Sequence, residues 1–389
     1  MSVYLIAGTF ISLLALYSYN KKNSVGIILS IFLPIFLISA LRYDIGTDYS
    51  AYQIIFDNPQ LMATREKGFM FLNSVIKEMG LPFQFVIICF TVTTLVLIFT
   101  VIIENSDNII LSIFLFYMYT PFFLDSMNAI RQWFAIAVFL YSTRFIKKRK
   151  ILLYLLFIFF AAFFAHKSVL VTIPLYFIVN KKFKRITRVI FIASCFFMSQ
   201  IITPIVKASP YAIYTMGSGG AGKLSPVFIL DIILVAYVVL FLKDYDNPIF
   251  YNLTLISFGL MLIAVQLVKL PVFNPVFRLN EYFLFSLCLT LPSCLNAIKK
   301  KKRKIICITS ILFFSLLNFV SLYFNGERNE ICPYQIFFGR FSNDFLLDFG
   351  IVLLGTSFSM CCLLFACLKR NKYLSRNGYM PTKLAPPSI

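Results

Sequence analysis

One short stretch reads Arg42-Tyr-Asp44-Ile-Gly46-Thr47-Asp48-Tyr49 and continues to Tyr52, putting an arginine, two aspartates and three tyrosines within eleven residues. Guanidinium and phenol groups donate hydrogen bonds to phosphate and sugar oxygens, and carboxylates accept from sugar hydroxyls. Gly46, flanked by Asp and Thr, predicts a turn that would gather them. The alternative is an ordinary solvated connection. Further along come Glu66-Lys67-Gly68-Phe69, then Asn128, Arg131 and Gln132 at i, i+3, i+4 spacing, which predicts one shared helical face. His166-Lys167-Ser168 contains the protein's single histidine, a candidate general base at neutral pH as well as an ordinary structural residue. Arg278, Glu281 and Tyr282 form the last group, with a local Arg–Glu ion pair as its simpler reading. Asp231 is a weaker candidate. Asp44 and Asp48, four residues apart, supply two carboxylates to a divalent metal but no third ligand, so metal-independent chemistry is expected.

The elements that must position these residues follow from composition. The 389 residues are 60% hydrophobic and 13% charged, with mean hydropathy +0.84. Soluble domains are nearer half apolar and a quarter charged, which excludes an ordinary cytosolic enzyme and equally a disordered chain. Long apolar runs between short basic clusters predict an all-α polytopic membrane protein; a β-barrel would show alternating segments of about ten residues. A crossing helix needs roughly 20 apolar residues. By that rule thirteen spans are expected, at 3–20, 25–41, 82–103, 108–124, 128–146, 151–166, 168–180, 187–206, 226–242, 249–268, 278–297, 305–324 and 346–368. The pair at 151–166 and 168–180 is the shortest and has a re-entrant alternative. Residues 1–20 carry no basic n-region or cleavage site and read as a retained first helix.

Orientation comes from the basic residues. With the N-terminus outside, two-thirds of the 36 lysines and arginines fall on the inner side, chiefly in Arg144–Lys150, Lys181–Arg188, Lys299–Lys304 and the tail from Lys369. That bias predicts N-terminus out and C-terminus in. It also assigns the net charge of +20 to membrane orientation and anionic lipid rather than nucleic acid. Residues 1–368 then form one integral membrane domain with outer loops 42–81, 207–225 and 325–345, and 369–389 form a cytoplasmic basic tail, disordered from Pro381. Within loop 42–81, apolar Phe69, Leu72, Val75, Ile76 and Met79 recur at helical spacing, predicting an amphipathic helix along the membrane surface. The candidate groups gather on the outer side, with Asp231 inside the ninth span near its outer half. An arginine near the bilayer centre costs at least ~2.5 kcal/mol, so Arg131 is expected to be functional rather than snorkelling, while Trp133 reads as an interfacial belt residue.

Eight of the nine cysteines lie in or beside proposed helices and Cys332 alone lies in an outer loop, so no disulfide is expected. There is no phosphate-loop, dinucleotide, zinc-protease or nucleophile-elbow motif. Gly217-Ser-Gly219-Gly220-Ala-Gly222 lacks the following Lys-Ser/Thr and reads as a flexible outer loop.

Taken in order, Arg42-Tyr-Asp-Ile-Gly-Thr-Asp48-Tyr49 with Tyr52, Glu66-Lys-Gly-Phe, Asn128-Ala-Ile-Arg131-Gln132, His166-Lys-Ser168 and Arg278-Leu-Asn-Glu281-Tyr282-Phe resemble the EpsG family of bacterial polysaccharide polymerases, a Wzy-like branch; Pro333-Tyr334 is a looser match. The resemblance implies a GT-C-like architecture and a glycosyltransferase in the bacterial inner membrane, working on its outer, periplasmic face without a cofactor. It would move a growing glycan from undecaprenyl pyrophosphate to a lipid-linked repeat unit for O-antigen, capsule or exopolysaccharide. A flippase and a chain-length regulator would be its partners. Catalytic roles fall to His166, Asp48 and Arg131, with His166 or Asp48 as the base. Substrate binding falls to Arg42, Asp44, Tyr49, Tyr52, Glu66, Asn128, Gln132, Ser168, Arg278, Glu281 and Tyr282. Three rivals share features of this pattern. A flippase would more often show internal repeats, which are absent. A ligase differs chiefly in acceptor. An O-acyltransferase would give the outer Arg and Asp residues no task.

Overall fold

The computed structural model describes residues 2–18, 25–58, 66–119, 122–208, 223–242, 247–270, 272–298, 334–338 and 345–376, with scattered positions between 300 and 317. The glycine-rich stretch 217–222, Cys332, Pro333, most of span 305–324, most of loop 325–345 and the tail beyond 376 lie outside the described residues.

Helices make up the described regular structure. They are α1 (Ser2–Ser18), α2 (Val25–Leu41), α3 (Tyr49–Asp57), α4 (Lys67–Glu78), α5 (Phe83–Asn105), α6 (Ile109–Met118), α7 (Phe123–Asn128), α8 (Ile130–Lys147) and α9 (Ile151–Phe164). After a 3-10 helix at Lys167–Thr172 come α10 (Leu175–Ile178), α11 (Arg185–Lys207), α12 (Pro226–Phe241), α13 (Pro248–Leu267), α14 (Phe273–Leu284), α15 (Leu287–Asn296) and α16 (Phe345–Arg376). Starts follow local chemistry. Asn108 accepts from the Leu111 N–H at 3.1 Å to cap α6, and Ser225 accepts from the Phe228 N–H at 3.1 Å ahead of Pro226 in α12.

Phe83–Asn105, Pro248–Leu267 and Gly350–Asn371 are each long and apolar enough to cross a bilayer. Shorter apolar helices accompany them, and residues such as Leu152, Leu156, Phe197, Leu354 and Phe365 present bare side chains outward. That surface would be insoluble in water and is natural in lipid. The chain is a membrane protein.

Several expected spans are interrupted. Span 168–180 is the 3-10 helix followed by Pro174 and one turn of α10; its helical rise of about 20 Å falls short of the ~30 Å hydrocarbon core. Span 278–297 starts earlier, at Phe273, and is divided between α14 and α15 at Phe285 and Ser286. Span 108–124 ends as a helix at Met118, and α7 and α8 are separated by Ala129 at φ −90°, ψ 60°. Trp133 is fully buried against Phe116 and Phe122, so it is a core residue and not an interfacial one. The amphipathic helix is present as α4, but its inner face (Phe69, Asn73, Ile76) packs on α5 and α9 instead of lying free along a surface.

α5 is central, packed against α2, α4, α8 and α16. It runs about 34 Å end to end. At its C-terminal end Glu104 pairs with Arg144 at 2.9 Å, and Arg370 of α16 donates to the Ser106 carbonyl at 3.0 Å and to that of Ile103. Cations are favoured at such a helix end. The candidate outer residues collect at the opposite end of α5 and α8. Reporter fusions should therefore place Lys147–Lys150, Lys181–Arg188 and Lys299–Lys304 in the cytoplasm and residues 42–58 outside. A cytoplasmic reading from the loop would remove any outer-face site.

Candidate functional site

The turn after α2 is built around Asn128. Gly46 has φ +98°, and a Cβ there would lie 3.0 Å from the Asn128 Cα, so only glycine lets the two backbones approach this closely. Asn128 Oδ1 then accepts from Thr47 Oγ1 at 3.0 Å and from the Asp48 N–H at 3.2 Å. From below, Gln84 at the start of α5 donates to the carbonyls of Ala40 at 2.6 Å and Arg42 at 3.1 Å, and its Oε1 accepts from the Tyr49 hydroxyl at 3.4 Å. Tyr52 donates to Asp48 Oδ2 at 3.3 Å. Burial and the Asp48 charge raise the Tyr52 phenol, against the opposing charges of Arg131 and Arg278, so it remains a neutral donor.

Arg42 is fully buried beneath residues 334–338, which pair with it through an antiparallel bridge at Ile336. The Tyr43 N–H donates to the Gln335 carbonyl at 2.9 Å, and the Phe337 N–H to that of Leu41 at 3.1 Å. Its Nη1 donates to Ser39, while Nε and Nη2 find no hydrogen-bond partner among the described residues. Burial lowers this guanidinium to about 10, opposed by the neighbouring tyrosines 49, 334, 4 and 52, and it stays charged at neutral pH.

Arg131 is met by a carboxylate of the chain itself. Its Nη2 pairs with Glu66 Oε2, its Nε donates to the Ala165 carbonyl at 3.1 Å, and its guanidinium lies 4.6 Å from the Phe69 ring centroid. The Glu-Lys-Gly-Phe motif thereby acquires a physical reason. Glu66 and Phe69 hold Arg131, and Gly68 lets α4 approach α9, where a Cβ would meet the Phe163 ring at 2.5 Å and its carbonyl oxygen at 2.8 Å. Glu66 also receives the Lys167 N–H at 3.4 Å.

His166 Nδ1 accepts from the Ser168 N–H at 3.2 Å and contacts Ser168 Oγ at 2.6 Å; Ser168 Oγ contacts the Tyr282 hydroxyl at 2.8 Å. A backbone N–H can only donate, so Nδ1 is the acceptor and the neutral ring carries its proton on Nε2. Gln132 donates to Glu281 Oε2 and to the Arg278 carbonyl, both at 2.8 Å. Among the described residues Arg278 and Glu281 form no ion pair, and Arg278 is exposed.

The residues read from the sequence thus meet at one end of the bundle, in a different arrangement from the one expected. Asn128 closes α7 instead of opening the next helix, so Asn128, Arg131 and Gln132 do not share a face. They reach respectively to the turn, to Glu66 and to Glu281. Asp44 is exposed with φ +49°; its backbone meets the Tyr49 phenol, while among the described residues its carboxylate forms no ion pair. Asp231 is buried in α12 and accepts from Tyr119, and among the described residues it forms no hydrogen bond or ion pair with the cluster's side chains. Two contributors were not singled out from the sequence. Gln84 reads as an ordinary polar residue at a helix start. Asp125, between two apolar segments, carries the same signal that marked Arg131, a charge beside a span. Burial raises Asp125 to about 7, with Arg278 opposing. Its charge also acts on Glu281.

Neither the curated proteins nor the solved structures contain a match to this chain. The EpsG family matches residues 25–336, a range that takes in every segment of this cluster and most of the sequence, and on that coverage the chain belongs to the EpsG family, whose members are associated with glycosyltransferase-like polysaccharide polymerases.

Proposed function

We propose that this protein is a Wzy-type polymerase of the bacterial inner membrane. It would transfer a growing glycan from undecaprenyl pyrophosphate to a lipid-linked repeat unit on the outer face. The observation that carries the reading is the convergence of five separated segments, 42–52, 66–69, 125–132, 166–168 and 278–282, into one cluster of arginines, carboxylates, amides and hydroxyls at the end of α5 and α8 opposite the basic clusters. No nucleotide sugar is available outside the membrane, so the donor must bring its own leaving group, a lipid pyrophosphate.

Roles follow from each group's surroundings. Arg278, exposed at the rim, is the cation a pyrophosphate meets first, and arginine can hold two of its oxygens at once. Arg42, charged and without a carboxylate partner, is a second cation for the leaving group if residues 334–338 move aside. Arg131 fixes α4 against α8 and extends its field to Tyr52. His166, with Nδ1 engaged, faces substrate as a donor through Nε2–H, backed by Ser168 and Tyr282. Asp48, Tyr49, Tyr52, Asn128 and Gln132 supply the acceptors and donors that orient sugar hydroxyls, and Asp44 lies at the outer edge.

Reconstitution tests this. The purified protein in liposomes, given lipid-linked repeat units, should build a ladder of chain lengths, and excess EDTA should leave the ladder intact if arginines alone meet the pyrophosphate. Movement of lipid-linked units across the bilayer without elongation would make the protein a flippase. Transfer of glycan only to a non-repeat acceptor would make it a ligase. Loss with EDTA and recovery with magnesium or manganese would bring Asp44 and Asp48 forward as metal ligands.

A further inference from the structure

Glycosyl transfer to a hydroxyl needs a group to accept the hydroxyl proton, and most carboxylates of this cluster are already engaged. Asp48 accepts from Tyr52, Glu66 from Arg131 and Lys167, and Glu281 from Gln132. Asp44 is exposed at the outer edge, where an acceptor would meet it in open solvent. Asp125 differs. It is half-buried, and among the described residues no hydrogen-bond donor and no ion-pair partner within 4 Å reaches its carboxylate. It stands one turn before Asn128 in α7, and residues three apart share a helix face, so it lies on the side where Asn128 holds Thr47 and Asp48. Arg278 of α14 acts on its charge, and that charge acts in turn on Glu281 of the same helix.

Resting on the polymerase reading above, we propose that Asp125 is the general base of the transfer. The acceptor hydroxyl gives its proton to an Asp125 oxygen while its oxygen lone pair forms the new bond to the donor's anomeric carbon. The bond from that carbon to the pyrophosphate oxygen breaks, and its electron pair leaves with undecaprenyl pyrophosphate. The proton then passes to water, which reaches a half-buried carboxyl. Support beside the geometry comes from titration: burial raises the group above the usual aspartate range, against the opposing charge of Arg278, and a carboxylate made more basic in this way takes a proton more readily near neutral pH. The carboxylate form is needed, so the rate should rise as pH climbs through about 7. Removing the opposing cation with Arg278→Gln should move that limb to higher pH.

The test uses the full-length protein in liposomes with lipid-linked repeat units. Asp125→Asn keeps the shape and should slow elongation about 100- to 10,000-fold while the protein still binds the lipid-linked unit. Asp125→Ala opens a gap in which formate, a small carboxylate, should restore part of the rate in a concentration-dependent manner. Elongation by Asp125→Asn at the unmodified rate overturns the proposal. So does loss in Asp125→Asn with no formate rescue of Asp125→Ala, which would make Asp125 a positioning residue only. Failure of the polymerase reading itself appears elsewhere, as an unmodified protein that builds no chains.

Discussion

Arg131→Ala should abolish long-chain product and leave single repeat units, and it should also lower the amount of folded protein. Both effects come from one feature, the pairing of Arg131 with Glu66 at side-chain exposures of 3% and 10%. Removing one partner of a buried ion pair leaves the other charge without compensation, at a typical cost of about 3–5 kcal/mol. Arg131→Lys keeps a charge near Glu66 but loses the Nε hydrogen bond to Ala165 and the planar contact with Phe69, so it should recover protein level better than activity. The decisive variant replaces both partners, Arg131→Met with Glu66→Met. Apolar replacement of a whole buried pair is often neutral or stabilising, so folded protein should return towards the normal level. If elongation stays lost by about 100-fold or more, the arginine contributes to the transfer itself, in the range expected for one electrostatic donor. If the double variant builds normal chain lengths, the pair is a strut between α4 and α8, and Arg131 has no part in the chemistry.

How much of this was legible in the sequence depends on the range over which each signal acts. Composition and basic clusters act over whole segments, and they identified a polytopic helical membrane protein. The shortness of 168–180 marked the place where a crossing helix fails, and the structure puts Pro174 at that break. The site residues were legible as types, because a charge beside an apolar run is costly wherever it folds. Their partners were not. Glu66 and Arg131 are 65 positions apart, and no local periodicity links them. The shared face assigned to Asn128, Arg131 and Gln132 assumed an unbroken helix, whereas the chain breaks at Ala129, a good helix former with no proline or glycine nearby to announce it. Asp125 escaped notice because it directly follows an apolar span and belongs to none of the motifs singled out there. Trp133 was given to the interface on its residue type, and packing with Phe116 and Phe122 overrode that tendency.

Gly68→Ala should disable elongation as thoroughly as many substitutions of the polar residues, although it adds one methyl group and touches no charge. The added Cβ would fall 2.5 Å from the Phe163 ring and 2.8 Å from the Phe163 carbonyl oxygen. A ring can turn aside, but the carbonyl belongs to the backbone of α9, so α4 must move away from it. Overpacking of this kind typically costs about 1–3 kcal/mol. The displaced element carries Glu66 two residues upstream and Phe69 one residue downstream, and these are the two side chains that hold Arg131. Truncating Phe163 relieves only the ring contact, so Gly68→Ala with Phe163→Ala should recover little. Two other glycines supply the comparison. Gly80 has nothing within 4 Å but a φ of +71°, so Gly80→Ala should cost only the backbone strain of a lone left-handed residue, about 1 kcal/mol, and leave chain length normal. Gly350 in α16 also has open space and no positive φ, so Gly350→Ala should be neutral or slightly stabilising. Chain-length ladders measured at matched protein levels decide the matter. A normal ladder from Gly68→Ala would mean that α4 can separate from α9 without disturbing Arg131, and the rigid seat drawn here for that arginine would be wrong.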